Sequence, residues 1–359
     1  MEYVKLEEIC TIISGGTPSR SKSNYWNNGT IPWIKIKDMK SKYIDSAEEF
    51  ITEDGLNNSS AKILKQDTVL YTIFATLGEV GILKIDACTN QAIAGLSLKE
   101  NSNILKEYLY YYLKSKKKDV NNLGRGVAQN NINLSLLRKF KIPVMRLCQQ
   151  KKIIKVLDNA SNTVNIYEKE IVLLDELVKA RFVEMFGEIE DCDKWKSKIW
   201  NEVVTIQNGR DYKKVLVSDG GYPVVGTGGE IARSSGYLCP ENTIVVGRKG
   251  SINNPMLMRE KFWNVDTAFG VIPNSDYLHY QYFYYFCKFY NFMKLNKATT
   301  LPSTTKADLL KIRINIPPLE LQNQFASFVE EIDKSRSRIQ KSLEASQELF
   351  DSLMQEYFG

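Results

Sequence analysis

Two stretches of the chain space their apolar residues alternately by four and three, and neither contains glycine or proline before its closing Phe-Gly. In the first, Ile153, Leu157, Ala160, Val164, Tyr167, Ile171, Leu174 and Val178 keep this rhythm through Met185, broken only by Arg181. The second carries Ile332, Ile339, Leu343, Phe350, Leu353 and Tyr357, with Arg336 and Ser346 in two seam positions. Such spacing predicts long helices with a coiled-coil seam. About 35 residues rising 1.5 Å each give a rod of roughly 50 Å, too long to bury its seam against itself. The simplest partner for each helix is the other one, antiparallel, because a globular stretch separates them. Packing of each helix on its own domain, or on a second copy of the chain, is the alternative.

Outside these stretches the pattern is β-branched and glycine-punctuated, and it occurs twice. Met185-Phe186-Gly187 faces Tyr357-Phe358-Gly359 at an offset of 172, and Ile142-Pro143 faces Ile316-Pro317 at 174. Asp67-Thr68-Val69-Leu70 matches Asn242-Thr243-Ile244-Val245, and the tyrosine-rich Tyr108 to Leu113 matches Tyr280 to Phe286. A period near half the chain length implies duplication of one unit. The expected fold is α+β: two repeated, mainly β or mixed domains at 1–148 and 188–317, joined by two long antiparallel coiled-coil helices at 149–187 and 318–359.

Composition narrows the class. With 359 residues, 43% apolar and 25% charged, the chain suits two ordinary globular cores. The long uncharged runs Thr68 to Gly78 and Tyr277 to Cys287 are 11 residues each, against the roughly 20 needed to span a bilayer, so no membrane partner is expected. The amino terminus lacks a secretory pattern, and six scattered cysteines without C-x-x-C spacing read as thiols of a reducing cytoplasm. A single histidine makes a zinc site improbable, so no metal is expected. The two domains carry net charges of +6 and +4, the helices 0 and −4. That distribution fits domains facing phosphate and helices facing protein.

The candidate DNA contacts lie in the turns. Gly15-Gly16-Thr17-Pro18 could expose backbone N–H groups to a phosphate beside Arg20 and Lys22. Lys35 and Lys37 would share the open face of a following strand, with Ile34 and Ile36 in the core. In the second copy Arg210, Lys213, Thr227 and Arg233 occupy the corresponding region, with Arg233 on a flexible loop, and Arg248 and Lys249 form a basic turn. A polar turn precedes each Ile-Pro, offering Arg125, Gln129 and Asn130 in one copy and Lys297 in the other. Asn and Gln suit adenine edges and Arg suits guanine. Gly226-Thr227-Gly228-Gly229 resembles a nucleotide loop, but no helix pattern follows it. The tyrosine-rich stretches have helical spacing, and core helices explain them better than base stacking does.

No Asn/Asp-Pro-Pro-aromatic tetrapeptide, spaced-acid nuclease motif or hydrolytic triad is evident, so no catalytic residue is expected. The elements Gly-Gly-Thr-Pro-Ser, Tyr25-Trp26, Gly29-Thr30-Ile31-Pro32-Trp33-Ile34, the Leu-x-x-x-x-Ile-Pro approach to each helix and the Phe-Gly endings resemble the specificity (S) subunit of a type I restriction-modification system. The resemblance runs over the whole chain. It implies that each domain reads one half of a bipartite asymmetric site on double-stranded DNA, while the helices set the gap. It also implies docking of two modification (methyltransferase) subunits, and of restriction (motor-nuclease) subunits. S-adenosylmethionine, ATP and Mg would sit on those partners and none on this chain. A self-contained DNA methyltransferase or endonuclease, or a coiled-coil scaffold without DNA function, is the alternative.

Overall fold

A computed structural model describes residues 2–124, 132–189, 194–298 and 300–359. The chain forms two units, one of Met1–Tyr167 with Ser342–Gly359, the other of Glu168–Lys341. Each long helix is shared: Leu147–Phe186 starts in the first unit and ends in the second, while Leu319–Phe358 does the reverse. Both are 40 residues long, longer than the seam alone suggests, because the first begins at Leu147, soon after the strand Lys141–Val144, and the second at Leu319, directly after Pro318.

The two units share a topology. In the first, a central sheet orders its strands as Cys10–Ser14, Ile93–Leu98, Val69–Thr72, Val80–Leu83 and Tyr43–Ile44. In the second, Val204–Asn208, Ala268–Pro273, Thr243–Gly247 and Met256–Met258 repeat the first four positions. A second sheet accompanies each, of three strands in the first unit and four in the second, and in both it holds a parallel pair: Trp33 opposite Cys88 and Ile34 opposite Thr89 in one, Val224 opposite Trp263 and Val225 opposite Asn264 in the other. Asp67 and Asn242, matched in the repeat, both take left-handed backbone angles (φ 70° and 59°) just before the third strand. Short polar side chains tolerate that region best.

The tyrosine-rich stretches form helices Lys106–Ser115 and Tyr280–Phe289, and they are core. Tyr108, Tyr111 and Tyr112 are almost fully buried, as are Tyr282 and Phe283. Tyr108 donates to the Pro143 carbonyl at 3.1 Å and Tyr282 to the Asn315 carbonyl at 2.9 Å, tying each helix to the short strand that contains Ile142-Pro143 in one copy and directly precedes Ile316-Pro317 in the other. Burial pushes the Tyr108 phenol up to about 12. His279, the single histidine, caps the second of these helices by accepting from the Gln281 N–H at 3.2 Å.

The helical seam is shared between the partner helix and the domain core. Ile153 and Leu157 lie in one apolar cluster with Phe350 and Met354, and with Tyr108, Leu109 and Ile142 of the first domain. Val178 and Phe182 cluster with Phe325 and Val329 and with Tyr282 and Ile314 of the second. Early residues of one helix meet late residues of the other, so they run antiparallel. Helix pairing and packing on the own domain, set against each other in the sequence reading, occur together. Val164 is buried, Leu353 and Ile332 are half-buried against these clusters, and Ile171, Leu174, Ile339 and Leu343 are half-buried.

Arg336, out of place in an apolar seam, reaches Asp175 of the first helix through two nitrogens at 3.0 and 3.4 Å, and Lys288 joins at 3.2 Å. Burial works against the Asp175 carboxylate, yet Lys288 and Arg336 outweigh it and hold its pKa below the ordinary value. A depressed folded pKa contributes stability above the unfolded value near 4, and this is lost as pH falls through the folded pKa. With the side chain 46% exposed, solvent screening keeps the contribution under about 1 kcal/mol. Asp175→Asn is therefore expected to unfold slightly more easily than the parent at pH 7. The two should converge below pH 4, and denaturant titrations showing the gap widen on acidification would contradict this assignment.

Candidate nucleic-acid interface

At one end of each unit several turns converge on the segment after the parallel pair. In the first unit, Gly16 N–H donates to the Thr89 carbonyl at 2.9 Å, Asn90 N–H to Ile34 at 3.1 Å and Ile73 N–H to Ala92 at 2.8 Å. In the second, Arg210 N–H donates to Asn264 at 3.0 Å, Val265 N–H to Val225 at 3.0 Å and Arg248 N–H to Thr267 at 2.8 Å. Each unit adds an indole: Trp33 Nε1 donates to the Gly16 carbonyl and Trp263 Nε1 to the Arg210 carbonyl, both at 3.0 Å. Arg210 thus stands where the first copy has Gly16, and Lys249 stands where it has Phe74.

The Gly-Gly turn does not serve the predicted purpose. Gly15 and Gly16 are buried, and their N–H groups are consumed by the Ile93 and Thr89 carbonyls. A Cβ on Gly15 would lie 2.2 Å from the Asn90 carbonyl oxygen, and one on Gly209 would lie 1.8 Å from that of Val265. Glycine is needed here for close backbone approach, not as a phosphate cradle.

The strand expected to present Lys35 and Lys37 ends at Ile34, and Ile36–Asp38 is a tight 3₁₀ turn. Asp38 draws the chain round by accepting from the Lys35 N–H at 2.7 Å. Lys35 is largely covered, with its side chain 15% exposed, and it pairs with Glu49, while Lys37 pairs with Glu48. Arg20 lies 3.6 Å over the Trp26 ring and 4.8 Å over Trp33, and it pairs with Glu49 at 2.6 Å. Burial opposes the charge on Glu49, but Lys35 and Arg20 hold its pKa below the ordinary value. Three candidate cations are therefore met by two carboxylates. Lys22 is exposed and donates to the Tyr25 hydroxyl at 3.0 Å.

The second unit is more open. Arg210, Lys213 and Lys249 are exposed, and no side-chain hydrogen bond or ion pair engages them among the described residues. Arg248 is exposed and, among the described residues, its side chain donates only to the Asp266 carbonyl at 3.3 Å. The turn carrying Lys297 lies against Arg248 and Lys249: Thr304 N–H donates to the Arg248 carbonyl at 3.0 Å, and Lys249 bridges to Ser303. Lys297 itself pairs with Asp308 at 2.9 Å. Thr227 sits at the tip of a hairpin between strands Tyr222–Gly226 and Gly229–Ser234, so the Gly-Thr-Gly-Gly stretch is a β-turn. Arg233 is in the second of those strands, paired with Glu230 at 2.8 Å, and not on a flexible loop. Arg125, Gln129 and Asn130 lie outside the described residues.

Sequence reasoning missed the buried amides that build each unit. Gln150 donates to the Asn103 and Met145 carbonyls, both at 2.8 Å, and accepts from the Leu105 N–H at 2.9 Å. Gln322 donates to Tyr277 and Pro317 at 2.9 and 2.8 Å and accepts from the His279 N–H at 2.7 Å. Their separation of 172 is the offset of the Phe-Gly endings, so the signal was available. Asn264, also fully buried, donates to the Gln207 and Ala268 carbonyls at 3.2 and 3.1 Å, fixing the segment on which the turns of the second unit converge. Among the described residues no group of three His, Cys, Asp or Glu could hold a metal, and no helix is long and apolar enough to cross a membrane.

A duplicated α+β domain, each copy leading into a long helix and ending in convergent turns, defines a class of protein, and the comparisons with known chains agree. The model of the type I restriction modification DNA specificity domain family matches residues 1–175 and 192–347, and the chain belongs to that family. Among its relatives, the Escherichia coli type I restriction enzyme EcoR124I/EcoR124II specificity subunit is 32% identical over 171 residues, 46% of this chain and 42% of that one. The MjaIX specificity subunit of Methanocaldococcus jannaschii is 24% identical over 394 residues, 98% of this chain and 90% of that one. The chain thus matches less than half the length of the first relative and most of the second. A crystal structure of a type I system S subunit from M. genitalium shares the fold, with a TM-score of 0.59 at 16% identity over 100% of this chain and 96% of that one.

Proposed function

We propose that the chain is the DNA sequence-specificity subunit of a type I restriction-modification complex. Each domain reads one half of a bipartite, asymmetric site on double-stranded DNA, and the helices set the spacing. Two modification (methyltransferase) subunits dock on the chain, and restriction (motor-nuclease) subunits complete the assembly. S-adenosylmethionine, ATP and Mg belong to those subunits, and this chain supplies no catalytic residue. The observation that carries the reading is the doubled convergence of turns on residues 89–92 and 264–267, with exposed Arg210, Arg248 and Lys249 at the second. Readers on one face of B-DNA must be spaced by about one helical turn, roughly 34 Å. A helix of 40 residues is about 60 Å long and stiff enough to hold such a spacing.

The test is methylome sequencing of cells expressing the chain with its modification subunits. Exchange of residues 1–148 for those of another family member is expected to change one half-site only. Methylation altered in both halves would defeat the modular reading.

A further inference from the structure

We propose that Phe74 is a wedge entering a base step of the half-site read by the first domain, with Leu301 as its counterpart in the second. The inference rests on the DNA-reading function proposed above. Phe74 is 42% exposed, although Ile73 and Leu77 beside it are 2% and 3% exposed. Folding gains little from an aromatic ring left in water, so its placement calls for another reason.

The mount is rigid. Ile73 N–H donates to Ala92 at 2.8 Å, and its carbonyl accepts from Ile132 N–H at 3.0 Å. The buried Thr72 hydroxyl donates to the Thr76 carbonyl at 2.5 Å and accepts from the Glu79 N–H at 2.8 Å. Ala75, next to the ring, takes a left-handed φ of 63°, where the second copy has Gly250 at 83°. A non-glycine residue held there is strained, and such strain gathers where a surface is shaped for a ligand.

The repeat identifies the occupant. The second copy places Lys249 at the position of Phe74, beside Arg248 and facing the turn with Lys297. That turn presents Leu301, 53% exposed and anchored where Gly250 N–H donates to the Pro302 carbonyl at 2.9 Å. An apolar tip among exposed cations matches a duplex, with phosphates for the cations and a base step for the tip. Phe and Leu are among the side chains that part base steps.

The experiment uses the complete complex of this chain with its modification subunits, and duplexes carrying 2-aminopurine at successive steps of the mapped site. One step in the first half-site is expected to brighten on binding. Phe74→Ala should remove that signal and lower selectivity at that step at least about tenfold. Phe74→Leu should restore most of both, and Leu301→Ala should act only in the other half. Sequence-selective binding with no brightened step, or a signal unchanged by Phe74→Ala, overturns the wedge alone. Loss of subunit association in Phe74→Ala, with the chain still folded by circular dichroism, would reassign the ring to a protein contact and overturn it too. A parent complex with no sequence-selective binding overturns the DNA-reading function and the wedge together.

Discussion

Gln150→Leu is expected to destabilise the first unit by roughly 3 to 6 kcal/mol, because leucine leaves the Asn103 and Met145 carbonyls and the Leu105 N–H buried without partners. Gln322→Leu should do the same to the second unit. Both side chains are fully buried, so water cannot substitute. For units of this size the loss corresponds to a fall in melting temperature of about 10 °C or more. Differential scanning calorimetry measures it directly. A change within the scatter of surface substitutions, about 0.5 kcal/mol, would mean that the amides do not clamp the helix starts. Gln150→Glu keeps an acceptor for the Leu105 N–H but sets a buried carboxylate against the Asn103 and Met145 carbonyls, and is expected to destabilise at least as much as leucine.

The second large effect is on DNA affinity. Replacing Arg210, Arg248 and Lys249 together with alanine is expected to lower the salt slope of binding by up to about 2.7, since each phosphate contact releases about 0.9 counterion. At 0.15 M salt that amounts to a loss of roughly a hundredfold, and the loss should be similar across sequences. The corresponding replacement of Arg20, Lys35 and Lys37 should cost much less, because Glu48 and Glu49 already neutralise most of that charge. Fluorescence anisotropy of the assembled complex over a range of salt separates the two. Equal slopes for the two variants would show that the carboxylates swing away when DNA arrives.

The amino-acid sequence by itself determined the architecture. A spacing of four and three over many residues can only be a long helix with one buried stripe, and a period of 172 to 174 in Ile-Pro, Phe-Gly and tyrosine-rich elements means the same unit twice. Such features are local or periodic, so they survive reading along one dimension. Tertiary structure alone decided which cations are available. Nothing near Lys35 in the chain shows that Glu49 covers it, or that Glu48 neutralises Lys37, because those partners come from a neighbouring strand and its approach. The Gly15-Gly16 pair looked like an anion loop, yet its N–H groups are spent on carbonyls from residues 89 and 93, over 70 positions away. Charge pairing and hydrogen-bond saturation depend on distances across the fold, and a turn's composition cannot reveal whether its donors are already engaged.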